Sequence, residues 1–297
     1  MNGIILNTKR FEIHDGPGMR TTLFLKGCPL RCKWCHNPES YKQPSELAYY
    51  EHKCIGCGVC VAVCPAGAHS IEKGVHIFDR EKCIACGKCA DACPKEALML
   101  FGKEVSPSEI LPALLEDKVF FDESHGGVTI SGGEPLLQHG FVTELLKLLK
   151  ENGVNTALDT CLYASRESLD AVMPYVDIFL IDIKAIDSEV HKACTGVAND
   201  IILDNLRYID SLGKSYEIRI PYVPAQNGRE IERIAAFIRT LKNADRVKLL
   251  AYHDLSRTKY SALGMEYTMG DQKVPNKDEY ETAFAILKNA GINAIHK

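Results

Sequence analysis

No apolar run in the chain approaches the roughly 20 residues that a membrane-spanning helix needs. Residues 1–20 contain no apolar stretch of the kind that directs export. No block of lysine and arginine occurs, and the formal net charge is −4, so nothing favours nucleic acid or an anionic membrane as a partner. These absences decide how the 13 cysteines are read. An exported chain would use them as a disulfide framework. Without an export signal they point to metal binding in a reducing compartment, with the cytoplasm as the expected one. Eleven of them fall between Cys28 and Cys93. The remaining composition, 46% hydrophobic and 25% charged over 297 residues, is that of a soluble globular chain of one large domain or two smaller ones.

Cys28, Cys32 and Cys35 stand at C-x3-C-x2-C spacing. Three thiolates are one ligand short of a closed four-cysteine site, and an open coordination position marks a catalytic metal. The same i, i+4, i+7 spacing also suits one buried face of a helix. Gly27 before the first cysteine and Pro29 after it favour a loop wrapped around a metal. Upstream, Gly16, Pro17 and Gly18 form a turn with Asp15 and Arg20 on either side. Residues 21–27 read as a strand, so the three-cysteine loop begins at a strand's C-terminal end, where α/β active sites are built.

Residues 54–64 read Cys-x2-Cys-x2-Cys-x3-Cys-Pro, and the pattern returns 29 residues later at 83–93. This internal repeat matches bacterial ferredoxin spacing, in which the fourth cysteine serves the other cluster. One [4Fe–4S] cluster is therefore expected on Cys54, Cys57, Cys60 and Cys93, and a second on Cys83, Cys86, Cys89 and Cys64. Small residues such as Gly56, Gly58, Ala85 and Gly87 would let backbone amides approach cluster sulfurs. A pair of structural zinc sites fits less well, because zinc motifs separate their C-x2-C pairs by longer spacers.

Beyond residue 101 strands and helices alternate. Ser106 and Glu109 make a capping box with Pro107 at the first helical turn. Strands are expected at 128–131, 155–160, 177–184, 216–221 and 247–253, and helices near 141–152, 166–172, 229–242 and 277–289. With 21–27 this gives six βα units and a parallel sheet, a partial (β/α)6 TIM-type barrel, although a doubly wound sheet has the same periodicity. The chain divides into residues 1–48, the first part of the barrel; 49–101, an inserted ferredoxin-like two-cluster module; and 102–297, the remainder of the barrel. The polar residues that interrupt the apolar strands cluster near their C-terminal ends: Glu134, Asp159, Thr160, Asp182, Lys184 and His253, with Arg219 a little earlier. Each has an ordinary explanation as a cap, turn or surface charge. Together they converge beside an incomplete metal site. The backbone of Gly132 and Gly133 with Glu134 suits an ammonium group, Lys184 and Arg219 suit a carboxylate or hydroxyls, and Asp159 and Asp182 would repel each other unless a cation or donor lies between them.

The three-cysteine motif together with Gly132, Gly133 and Glu134 after a strand resembles the radical S-adenosylmethionine (SAM) superfamily. The segments Asp15 to Arg20, Trp34 to Pro38, Ser131 to Glu134, Asp159 with Thr160, Asp182 to Lys184, and Tyr252 with His253 resemble, in order, the activating enzymes of glycyl radical enzymes, in the long form that carries a ferredoxin-like insertion. The resemblance implies an oxidoreductase that reductively cleaves SAM to a 5′-deoxyadenosyl radical and removes a hydrogen from a glycine of a partner glycyl radical enzyme. It implies three [4Fe–4S] clusters, the catalytic one on Cys28, Cys32 and Cys35, in an oxygen-sensitive, anaerobic setting. It implies a SAM pocket from Trp34, Asn37, Gly132, Gly133, Glu134, Asp159, Thr160, Asp182, Lys184, Arg219 and His253, and a monovalent-cation site from Asp159, Thr160, Asp182 and the Leu180 carbonyl. Lys184 and Asp15 join the catalytic group, Asp15 and Arg20 contact the partner's glycine-bearing loop, and flavodoxin or ferredoxin supplies the electron. Two positions depart from the compact pyruvate formate-lyase activase pattern: Cys161 replaces an asparagine and reads as a reduced packing thiol, and Pro221 replaces a valine. Cys194 reads as structural. A radical SAM enzyme acting on a small molecule or another peptide shares the core motifs, and a non-catalytic ferredoxin-type electron carrier would leave the three-cysteine loop unexplained.

Overall fold

The computed structural model describes residues 1–270 and 272–296, with Asp245 described in its backbone alone. Its strands are β1 (Gly3–Glu12), β2 (Arg20–Leu25), β3 (Glu46–Tyr49), β4 (His69–Glu72), β5 (Val75–Phe78), β6 (Leu98–Phe101), β7 (Lys103–Val105), β8 (Gly127–Gly132), β9 (Asn155–Thr160), β10 (Ile178–Asp182), β11 (Tyr216–Tyr222), β12 (Ala244–Ala251) and β13 (Ala294–Ile295). Nine of them form one sheet in the order β13-β12-β11-β10-β9-β8-β2-β1-β7. The six expected strands, β2 and β8 to β12, are consecutive neighbours, and every pairing among them is parallel. The strand order never reverses between them, which removes the doubly wound alternative.

Strands buried on both faces explain the near-continuous apolar runs. Phe179, Leu180 and Ile181 of β10 are fully buried, and the helix His139–Glu151 closes one side with Phe141, Val142, Leu145, Leu146 and Leu149. The capping box forms as expected: Ser106 accepts from the Glu109 amide, and the Glu109 carboxylate accepts from the Ser106 amide at 2.7 Å. β1 was not expected. Its middle is polar and half exposed, so it carries no apolar alternation, and it is a strand because β2 and β7 flank it antiparallel. No helix among the described residues is long and apolar enough to cross a membrane.

Residues 46–101 leave the sheet after β2 and return before β7. They form two two-stranded sheets, β3 with β6 and β4 with β5, and two short helices, Val59–Val63 and Lys88–Asp91.

Arg20 corrects an expectation. Its guanidinium is fully buried and donates to Thr129 Oγ1 (2.7 Å), the Val128 carbonyl (2.9 Å), the Pro17 carbonyl and Asn155. Burial lowers its pKa to about 10. It ties β2 to β8, β9 and the preceding loop and has no surface to offer a partner. Replacing Arg20 with Met would leave these acceptors buried without a donor and should cost about 3 kcal/mol of stability. The check is a lower denaturant midpoint at an unchanged m-value.

Candidate active site

The parallel strands deliver their C-terminal ends to one side of the sheet, where a cavity of about 540 Å3 opens. Its floor begins with a backbone seam. Gly133 N donates to the Leu25 carbonyl (2.9 Å) and Glu134 N to the Gly27 carbonyl (2.8 Å), so β8 continues as a ladder onto the start of the cysteine loop. Two glycines are required here. Gly132 has φ +112°, and a Cβ on Gly133 would lie 2.1 Å from the Gly27 carbonyl oxygen.

Cys28, Cys32 and Cys35 all line the cavity. The loop is held from three other directions. Arg31 N and Lys33 N donate to the Thr195 and Cys194 carbonyls at 2.7 and 3.0 Å. Tyr41 Oη donates to the Cys32 carbonyl (2.9 Å) and Tyr260 Oη to the Cys35 carbonyl (3.1 Å). Lys259 Nζ donates to the His36 carbonyl, Asn37 Oδ1 and Glu39 Oε1. Tyr41, Tyr260 and Lys259 were not found in the sequence, since isolated tyrosines and a lysine carry no spacing signal. Burial pushes the Cys28 thiol up to about 12, and raises Cys32 and Cys35 as well. Bare thiolates are disfavoured here, whereas a bound metal would deprotonate them outright. The Asn37 amide already donates to Cys35 Sγ at 3.4 Å. Three convergent soft ligands and a backbone donor fit an iron–sulfur cluster.

The cavity also brings together Asp15, Trp34, Asn37, Gly132, Gly133, Asp159, Thr160, Asp182, Lys184, Arg219 and His253. The ring of His253 stacks on His36 with centroids 3.7 Å apart. Asp182 and Lys184 form an ion pair of 2.7 Å. Burial opposes the Lys184 charge, but Asp182 and the nearby thiols carry its pKa above the ordinary value. Arg219 lies 3.5 Å from Asp159, 3.7 Å from Asp15 and 3.4 Å from Glu217. Asp159 also accepts from Ser131 Oγ at 2.7 Å. Burial raises the Asp159 pKa to about 6, with Arg219 opposing the rise.

Each of these carboxylates has a side-chain cation beside it: Asp159 lies next to Arg219, which it shares with Asp15 and Glu217, and Asp182 next to Lys184. Thr160 donates its hydroxyl to Glu134 Oε1 at 2.7 Å. Glu134 departs from its expected place. Its carboxylate is fully buried and accepts from the Leu136 amide, the Cys161 amide and thiol, and Thr160. Burial raises its pKa. It braces the strand-to-loop turns beneath the cavity, and the groups that face the cavity here are Gly132 and Gly133. Cys161 lies in the cavity wall as well as on Glu134.

Gly133→Ala should break the seam. A Cβ meeting backbone has no side chain to displace, so we expect a loss of about 3 kcal/mol or more, read as a lowered thermal midpoint, whereas Cys161→Ser should fall much closer to the parent.

Residues 22–238 match the Radical SAM superfamily. The choline trimethylamine-lyase activating enzyme of Oleidesulfovibrio alaskensis is 42% identical over 96% of this chain and 94% of its own. The trans-4-hydroxy-L-proline dehydratase activating enzyme of Clostridioides difficile is 38% identical over 99% and 98%. A crystal structure of a domain of pyruvate-formate lyase-activating enzyme from Bacteroides vulgatus is 32% identical, superimposes with a TM-score of 0.50, and covers 58% of this chain and 99% of its own. A cavity at the strand ends, walled by three convergent thiols and paired charges, thus sits in a chain that belongs to the radical SAM superfamily and, within it, to the activating enzymes of glycyl radical enzymes.

Proposed function

We propose that Cys28, Cys32 and Cys35 hold the catalytic [4Fe–4S] cluster and that the adjoining cavity takes SAM, with the partner's glycine-bearing segment entering above it. The observation that carries this reading is the sharing of one cavity by the three thiols and two ion pairs whose cations, Lys184 and Arg219, are buried. Cluster and SAM together supply a one-electron cleavage whose product abstracts the glycine hydrogen. The chain's own residues bind and orient. The backbone of Gly132 and Gly133 offers polar groups to the methionyl ammonium, and Lys184 and Arg219 offer donors to carboxylate and hydroxyls. Trp34, Asn37 and His253 wall the remaining space, and Asp15, tethered to Arg219, meets the incoming segment. Holding the groups in fixed positions pre-orients what binds there.

We assign residues 49–101 to a ferredoxin-like module with two further clusters. Cys54, Cys57, Cys60 and Cys93 line one common pocket, and Cys89 has Cys83, Cys86 and Cys64 as its thiol neighbours, the two sets that ferredoxin connectivity requires. A low-potential donor of the flavodoxin or ferredoxin kind would feed them.

Incubation with SAM, a reductant and a candidate partner should produce a glycyl radical visible by EPR on that partner. Catalytic turnover of a small substrate with no partner present would sink the reading. Reconstituted protein should hold about twelve iron atoms per chain. Alanine at Cys28, Cys32 or Cys35 should abolish SAM cleavage, while alanine at Cys57 or Cys86 should leave cleavage by an artificial reductant.

The charge of Asp159 gives a pH signature. Its raised pKa means that it takes up a proton below about pH 6. The pocket then loses one negative charge, and cationic SAM should bind more weakly, whereas above pH 6 the carboxylate is charged and affinity levels off. Equilibrium binding across pH should show this inflection, and Asp159→Asn should remove it.

A further inference from the structure

The 29-residue repeat extends beyond the cysteines. β5 is the equivalent of β3, and β6 of β4. The registers agree: Tyr49 pairs with Leu98 in one small sheet, and Phe78 with His69 in the other. A shift of 29 places takes Leu47 to His76, Tyr49 to Phe78 and His69 to Leu98.

Backbone donors to the thiols keep this symmetry. Ala68 N and Ala97 N each lie 3.3 Å from Cys64 Sγ and Cys93 Sγ, and Gly56 N and Ala85 N lie 3.5 and 3.4 Å from Cys54 Sγ and Cys83 Sγ. The side chains break it. His76 Nε2 is 3.4 Å from Cys60 Sγ, whereas the equivalent Cys89 sits in an apolar cluster with Leu47 and Leu98. The Tyr49 hydroxyl has the Cys54 thiol as a neighbour, whereas its equivalent, Phe78, has no hydroxyl.

The two histidines are arranged for donation to sulfur. His69 Nδ1 lies 3.0 Å from His76 Nε2, a contact in which one ring nitrogen carries the hydrogen and the other accepts it. A thiolate at Cys60 carries no hydrogen, which places that hydrogen on His76 Nε2, shared between Cys60 Sγ and His69 Nδ1. Tyr49 closes edge-on over the His76 ring at 4.6 Å. The arrangement has no evident structural return. His69 Nε2 and His76 Nδ1 are buried with no hydrogen-bond partner among the described residues, and the sister site does without either histidine.

We propose that Tyr49 and His76, with His69 as the positioning residue for His76, make the two clusters of the module inequivalent, the site on Cys54, Cys57, Cys60 and Cys93 having the higher reduction potential. Donors to cluster sulfurs stabilise the added negative charge of the reduced state more than the oxidised one, so that state is favoured where they are present. An electron reaching the module then rests on the site with Cys60 before it leaves. The inference depends on the two-cluster reading given above.

The test is an EPR-monitored redox titration of reconstituted full-length protein, with iron and zinc counted first. We expect two separable waves from the module. The double substitution Tyr49→Phe with His76→Leu, which copies the sister site, should bring the upper wave down toward the lower one. His69→Leu should move it part of the way, and His76→Gln, which retains a donor, should largely restore it. Coincident waves in the parent protein, or an unmoved upper wave in the double variant at about twelve iron atoms, would overturn the inference while leaving the clusters in place. A parent protein with one zinc per chain and too little iron for the site would instead remove the two-cluster reading and place an ion on Cys60, His69 and His76, whose ligand atoms lie within 4.8 Å of one another.

Discussion

The site depends on a backbone seam. Gly133 and Glu134 donate their amides to Leu25 and Gly27, and the cysteine loop starts in register with the end of β8. Hydrogen bonds between backbones fix the loop's origin to within a few tenths of an ångström without relying on any side chain. A Cβ at Gly133 would occupy the same space as a carbonyl oxygen. The carboxylate of Glu134 finishes the seam from below by gathering the first turns after β8 and β9. Tyr41, Tyr260 and Lys259 then secure the loop's far side.

Above the seam the main problem is charge in a dry place. Burying an isolated ion costs several kcal/mol, and pairing offsets that cost only with good geometry. Arg219 stands among Asp15, Asp159 and Glu217, while Lys248 reaches Glu217 at 3.1 Å and Lys184 takes Asp182. The carboxylates outnumber their cations around Arg219, which suits a pocket for a cationic cofactor.

The cysteine repeat shows another use of symmetry. Two 29-residue halves keep the same strands, the same registers and the same backbone donors to sulfur, while Tyr49, His69 and His76 on one side stand where the other has Phe78, Leu98 and Leu47. Duplication repeats the backbone around the two sets of thiols, and the side chains beside them set the two sets apart.

Much of this was legible in the sequence because it is written in spacing. The apolar strands and the Ser106 capping box each depend on neighbours a few residues away, and both appear in the structure as read. β1 was not legible, since its strand character comes from β2 and β7 and not from its own pattern. Arg20 and Glu134 were identified as residues of note but given outward roles. Only packing shows that their charges are enclosed, because a sequence fixes which group is present and not which way it faces. The same holds for His76 and Cys60, 16 residues apart, and for Tyr260 and Cys35, 225 apart. Local spacing set the cysteine intervals and the strand ends, and the tertiary fold decided which charges meet the cavity, because burial and pairing are properties of neighbours that the chain order does not contain.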